Sequence, residues 1–367
     1  MAKDRKILVM HTGGIGDMLM LGPSLRLLRS ACPLAEIHFL GSPGIKEVIE
    51  RHGAIDKFIY IDTPGLKRGR GIPGAALMME ALKTMSGLRK ERYDVFLVFQ
   101  PILSLKSSVR IAFLSLFLNA GKTAGRNTDG RGFFFKEKAP ESTAGARHEV
   151  ERMSGVARIV CGNGFLPPIE VPVHEGERKC ARDIFAGHGI GSYAPVVVVA
   201  PGFTKATRRW YEERWASLAD RIINEHNARV ILVGGRGEKG LARSITCMMK
   251  NGCVNLVGRL KIFETAAVID RADVFIGNDS GLMHMASALR PLVIALFGPG
   301  DLNRIRPYGD ERGYKVVRVP QSCSPCYREF CEDHTCMKSI TVDEVYNAFI
   351  ELYRGLGLYA NGLKTGE

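Results

Sequence analysis

The residues best suited to chemistry stand in four short stretches. HTGGIGDMLM (residues 11–20) places three glycines and an acid directly after the apolar run at 7–10. Such a turn has two uses: a phosphate cradle of the dinucleotide-binding kind, or a close-approach turn that aims one carboxylate into a cleft. The second fits better, because an acid stands where the third glycine region of a cradle belongs and no ribose-binding acid closes the second strand at Leu40. Asp17 is then the candidate base, with Gly13, Gly14 and Gly16 letting substrate approach the backbone closely. A carboxylate near its ordinary value of ~4 is a weak base, so such a group needs burial or neighbouring negative charge. The alternative is that Asp17 merely N-caps the helix that follows.

Three further stretches share another chemistry. In APGFTKATRRWYEERWASLAD (200–220), Thr204, Lys205, Thr207, Arg208 and Arg209 put hydroxyls and cations at a strand end, as a phosphate-bearing ligand requires. Trp210 and Trp215 are expected to pack the following helix rather than stack on a base. LVGGRGEKG (232–240) sets Glu238 to accept hydrogen bonds from ribose hydroxyls. IGNDSGLMHMASALRPLVIALFGPGD (276–301) runs strand, turn, helix, strand, turn; Asp279 and Ser280 are helix caps, and with Gly281 they leave free N–H groups suited to a diphosphate without a metal. Three such strand ends in succession point to a nucleotide. A late cluster, CSPCYREFCEDHTC, has Cys323, Cys326, Cys331 and Cys336 with His334 among them, and reads either as a structural metal site or as ordinary thiols.

Positioning these groups requires strands whose C-terminal ends face one way. Apolar runs at 6–10, 36–40, 57–60 and 94–99 alternate with helix-period segments, the first helix beginning near Met18 and ending before Pro33. The stretch 62–75 is a basic, Pro- and Gly-rich loop, and 121–139, with Arg126, Arg131 and Phe133 to Phe135, reads as a loop too. After an extended, proline-rich connection at 166–174, strands follow at 196–200, 229–233, 253–256, 274–276 and 292–297, with helices at 212–226, 240–249, 262–272 and 281–289. The reading is α/β with two Rossmann-like, doubly wound domains facing each other across a cleft: 1–175 for the acceptor, 176–345 for the donor, and a terminal helix at 346–367 crossing back to the first. At 367 residues, two domains are the natural division.

A net charge of +13 implies an anionic partner. The longest apolar candidate, 111–118, is far too short to span a bilayer, and no cleavage signal follows the basic N-terminus, so a cytoplasmic location is expected. Nine scattered cysteines do not form a secreted disulfide scaffold.

The chain resembles the lipopolysaccharide heptosyltransferases, glycosyltransferase family 9. The resemblance is carried by GGIGDMLMLGPSLRLLR (13–29), LRKERYDVFLVF (88–99), HEVER (148–152), APGFTKATRRWYEERWASLA (200–219) and NDSGLMHMASALRPLVIALFGPGD (278–301), which cover nearly the whole chain in order. It implies the GT-B fold and an inverting, metal-independent transfer of heptose, or a related sugar, from ADP-heptose to the lipopolysaccharide inner core, with no further cofactor. It implies Asp17 as base, and Thr204, Arg208, Glu238, Asp279, Ser280, Gly281, Leu282 and His284 at the donor. Arg208 departs from the family's lysine, replacing a point cation by a planar fork. A phosphorylated, lipid-linked glycan as acceptor, met by contact with the inner-membrane surface, accounts for the basic charge; Lys67, Arg68, Arg70 and Lys106 are expected to hold it. Two other classes compete: a nicotinamide-dependent oxidoreductase, and a non-catalytic binder of anionic ligands. Scattered cations with no RNA-binding aromatic signature argue against nucleic acid.

Overall fold

The computed structural model describes residues 5–60, 75–142, 145–191, 194–326 and 328–363. The chain divides into two compact units, Met1–Glu170 and Val171–Glu367.

The first unit runs β1 (Lys6–Met10), α1 (Ile15–Ala31), β2 (Glu36–Gly41), α2 (Lys46–Glu50), β3 (Lys57–Tyr60), α3 (Ala75–Lys90) and β4 (Val95–Val98). It continues with α4 (Leu105–Leu118), β5 (Lys122–Thr128), β6 (Glu137–Glu141) and α5 (Glu149–Cys161). Its six strands form one parallel sheet in the order β3-β2-β1-β4-β5-β6. β1 is central because KILVM supplies apolar side chains to both faces: Ile7, Leu8 and Val9 are fully buried, and Ile7 sits in register with Ile37 on one side and Val95 on the other. The strand order reverses between β1 and β4, and the crevice at such a reversal is where open α/β sheets bind ligands.

The second unit contains α6 (Glu175–Gly187), β7 (Val196–Ala200), α7 (Glu212–His226), β8 (Arg229–Leu232), α8 (Lys239–Met248), β9 (Val254–Asn255), α9 (Ile262–Asp270) and β10 (Val274–Asn278). Then come α10 (Gly281–Ser287), β11 (Leu292–Leu296), α11 (Leu302–Ile305), β12 (Tyr314–Val317), α12 (Thr335–Lys338) and α13 (Val342–Leu363). Its parallel order is β12-β11-β10-β7-β8-β9, with the reversal between β7 and β10. Trp210 and Trp215 meet edge to face at 4.8 Å inside the core, where the Trp210 indole donates to the Ile340 carbonyl at 2.9 Å, so both are packing residues as the sequence suggests. Val345, Tyr346 and Phe349 of α13 belong to this same core. Side chains beyond Arg354, where a crossing would be made, lie outside the described residues, as does all but Ala75 of the basic loop at 62–75.

Two expectations are corrected. The stretch 121–139 is not a loop: it holds β5 and the start of β6. Arg126 is fully buried there, donating to Glu141 at 2.7 Å, to Glu149, and to the Phe99 carbonyl at 3.2 Å, while Arg152 pairs with Glu141 at 3.0 Å. Paired in this way, two guanidiniums and two carboxylates tolerate the interior, and the polar sequence of β5 forms an inner strand. The HEVER motif supplies Glu149 and Arg152 to this cluster. α1, in turn, begins at Ile15 rather than near Met18, because a carboxylate caps it from within.

Candidate active site

In the first unit the loop after β1 lies at the strand reversal. His11 is 2% exposed, and its Nδ1 accepts the Gly13 N–H at 2.9 Å. That bond places the imidazole proton on Nε2, which has no partner among the described residues. Burial pushes the His11 pKa below the ordinary histidine range, outweighing the nearby carboxylates of Asp17 and Glu149. His11 is thus a neutral donor in a buried place. Thr12 is tied to the end of β4, its N–H and hydroxyl both donating to Gln100 Oε1 at 3.0 and 2.8 Å.

Asp17 is the third residue of α1, and its Oδ2 accepts the Gly14 N–H at 2.8 Å. The N-cap is Gly14, not Asp17; the carboxylate reaches back one turn to satisfy the cap backbone. Half-buried, it is paired with no cation among the described residues. A Cβ on Gly13 would overlap both Asp17 Oδ2 and His11 Cε1, so this glycine seats the two side chains beside each other. Gly16 is buried in the first turn. Lys106 is exposed in the first turn of α4, while Lys67, Arg68 and Arg70 lie outside the described residues.

In the second unit, the fully buried Asn278 at the end of β10 donates to the carbonyls of Pro201 and Gly202 at 2.9 and 3.2 Å, holding the loop after β7 across the reversal. That loop forms a single helical turn, Ala206–Arg208. Arg208 Nη1 lies 3.0 Å from Asp279 Oδ2 and 3.2 Å from its carbonyl, so the guanidinium is fixed at the mouth of β10. Asp279 therefore orients Arg208 rather than capping α10. The N-cap is Ser280, which makes no side-chain cap bond. α10 ends at Ser287, and a seven-residue helix adds only a modest dipole to the charge Arg208 supplies.

Glu238 closes the third corner. A Cβ on Gly202 or Gly234 would overlap its carboxylate, and Gly235 N–H donates to Oε2 at 2.7 Å. Burial raises its pKa above the ordinary glutamate value, against the lowering effect of that one hydrogen bond. Thr204 is exposed on the loop, Ser280, Gly281 and Leu282 are half-buried, and His284 is buried in α10. Thr204, Arg208, Asp279 and residues 280–284 thus come together around the ends of β7 and β10, with Glu238 beside Gly202. Behind them, Thr207 donates to the Arg328 carbonyl at 3.0 Å, and its own carbonyl lies 3.0 Å from His334 Nε2. His334 thus braces the loop after β7. The cysteines at 323, 326, 331 and 336 are free thiols, and no described group of three or more His, Cys, Asp or Glu is arranged to hold a metal.

The model of "Glycosyltransferase family 9 (heptosyltransferase)" matches residues 81–336, well over half of the chain. The chain belongs to glycosyltransferase family 9. It is a glycosyltransferase, and its pair of doubly wound units is the GT-B fold. Lipopolysaccharide heptosyltransferase 1 of Pseudomonas aeruginosa is 24% identical over 334 residues, covering 89% of this chain and 87% of the relative. Lipopolysaccharide heptosyltransferase 2 of Salmonella typhimurium is 26% identical over 327 residues, 86% and 88% of the two chains. The solved ADP-heptose lipopolysaccharide heptosyltransferase II of E. coli superposes with a TM-score of 0.72 at 23% identity, covering 95% of this chain and 98% of that one. The family match includes Thr204, Arg208, Glu238 and residues 279–284, and Asp17 lies before it.

Three residues of the site are not singled out by sequence: His11, Gln100 and Asn278. His11 and Asn278 stand inside quoted motifs, and for Asn278 the strand-end position is the available signal. For His11 and Gln100, nothing in the sequence tells a buried, bonded side chain from an exposed one.

Proposed function

We propose that this glycosyltransferase moves a heptose from an ADP-sugar to the inner core of lipopolysaccharide, with inversion and without a metal ion. What carries the reading is the contrast between the two strand reversals: one presents a carboxylate with no cation paired to it among the described residues, the other a fixed guanidinium within a polar loop. In this reaction Asp17 takes the proton of the acceptor hydroxyl, and that oxygen attacks the anomeric carbon. The bond from that carbon to the diphosphate oxygen breaks, and its electron pair leaves with the diphosphate. Arg208 and Thr204 stabilise the departing charge, helped by the backbone at Ser280 and Gly281. Attack opposite the leaving group inverts the anomeric configuration, with no covalent intermediate. Glu238 binds the ribose hydroxyls, Leu282 and His284 line the donor turn, and the cations supply the counter-charge a metal would otherwise give.

The acceptor, a phosphorylated lipid-linked glycan, is held by the glycines at 13, 14 and 16 and by Lys106, with Lys67, Arg68 and Arg70 assigned to its phosphates. Its lipid sets the reaction at the cytoplasmic face of the inner membrane. The names of the relatives support the donor and acceptor classes, and the +13 charge supports an anionic substrate. The test is mass spectrometry of products after incubation with a panel of nucleotide sugars and lipid-core acceptors. One heptose added from the ADP-sugar is expected, and transfer from a UDP-sugar alone would replace this donor. Thermal stabilisation by ADP and none by NAD is expected as well; the reverse would favour an oxidoreductase.

A further inference from the structure

α4 is apolar on two faces. Its inner face packs Ile111, Leu114 and Leu118 into the first unit's core. Its outer face carries Leu105, Val109, Phe113 and Leu116, each between 60% and 79% exposed. These positions, i, i+4, i+8 and i+11, fall within an arc of about 80° at 3.6 residues per turn, so they form one continuous stripe down the helix. Phe133, also exposed, extends it, since Ser108 Oγ donates to the Arg131 carbonyl at 2.9 Å and so fixes the turn carrying Phe133 against the helix. A surface helix ordinarily turns charged residues outward, and contiguous outward apolar side chains mark a contact surface.

The charge around the stripe selects the occupant. α4 contains no Asp or Glu. Lys106 and Arg110, both exposed, flank the stripe on one side, and the Arg89 guanidinium lies 5.1 Å from the ring of Phe117. Two copies joined through this patch by a two-fold axis would set cation against cation. An anionic bilayer instead takes the apolar side chains between its acyl chains and the cations at its headgroups.

We infer that the stripe on α4, with Phe133, is the surface by which the first unit docks onto an anionic lipid bilayer. The inference concerns binding alone, so its test uses neither donor nor acceptor and stands apart from the glycosyl-transfer reading. Full-length protein is sedimented with vesicles of phosphatidylethanolamine and phosphatidylglycerol, and with vesicles of phosphatidylcholine alone. Sedimentation with the first and little with the second is expected. The double substitution Phe113→Gln and Leu116→Gln is expected to weaken partition at least about ten-fold, and Arg110→Gln about five-fold. Melting curves and ADP binding are expected to match wild type, since these side chains face outward. Equal sedimentation with both vesicle types, or partition of the variants equal to wild type, would overturn the inference. So would a dimer in light scattering that the double substitution dissociates, because the stripe would then hold a second copy.

Discussion

The two units repeat one strand order, with reversals at β1/β4 and β7/β10, yet the loops at those reversals carry opposite chemistry. In the first unit, Arg126 and Arg152 are bound into a buried cluster with Glu141 and Glu149, and Asp17 stands beside a neutral histidine. At β7/β10 the arrangement is inverted: the carboxylate of Asp279 is buried and serves to hold Arg208 at the mouth. In the second unit a buried carboxylate orients the cation that is presented, whereas in the first the presented carboxylate is held by a backbone N–H. The shared topology supplies the place, and the loop residues decide what is done there.

Substitutions that strike one reversal and spare the other test this division. The largest stability effect is expected from Arg126→Met, which removes the buried guanidinium that Glu141 and Glu149 share; a loss of roughly 3 to 5 kcal/mol confined to the first unit is expected in denaturant unfolding. Unchanged ADP binding is expected, and a parallel fall would contradict the assignment of ADP to the loops of the second unit. Arg208→Ala comes next. Loss of a charge-assisted contact worth roughly 1.5 to 3 kcal/mol should weaken ADP binding about ten- to a hundred-fold by calorimetry, whereas Arg208→Lys should recover part of it.

Glu238→Gln is expected to do two things at once. The folded carboxyl has a raised pKa, so the native state binds its proton more tightly than the unfolded chain does, and stability drops as pH rises from the ordinary glutamate value through the raised one. Removing that ionisation should raise the melting temperature near neutral pH while weakening ADP binding; a lowered melting temperature would contradict the assigned burial. The smallest effect is expected from His52, whose pKa burial, aided by the Arg26 charge, lowers to about 4. Here the unfolded chain takes up a proton that the folded one refuses. The first unit should therefore lose stability as pH falls from about 6.5 toward about 4, and His52→Gln should flatten that slope.

How much of this was legible depended on how local the causes are. β1, β3 and β7 and helix α7 were readable to the residue, because apolar runs and helical spacing are written in adjacent positions. β5 was not: KTAGRNT has no apolar pattern, and its Arg126 is satisfied by carboxylates 15 and 23 residues further on. The start of α1 was displaced because Gly14 offers no capping side chain and Asp17 reaches back to it. At the site, residue types and strand-end positions were readable for Arg208, Glu238 and Asp279. The pairing of Arg208 with Asp279 was not, since 71 residues separate them and only the sheet order brings them together.

The account turns on Asp17 acting on a sugar whose diphosphate is held by the second unit, and Asp17→Asn tests this most directly. Single-turnover kinetics with ADP-heptose and a lipid-core acceptor should show transfer slowed by about a thousand-fold, within the range of a lost general base, while calorimetry shows ADP bound as in wild type. Transfer at the wild-type rate in that variant would contradict the account.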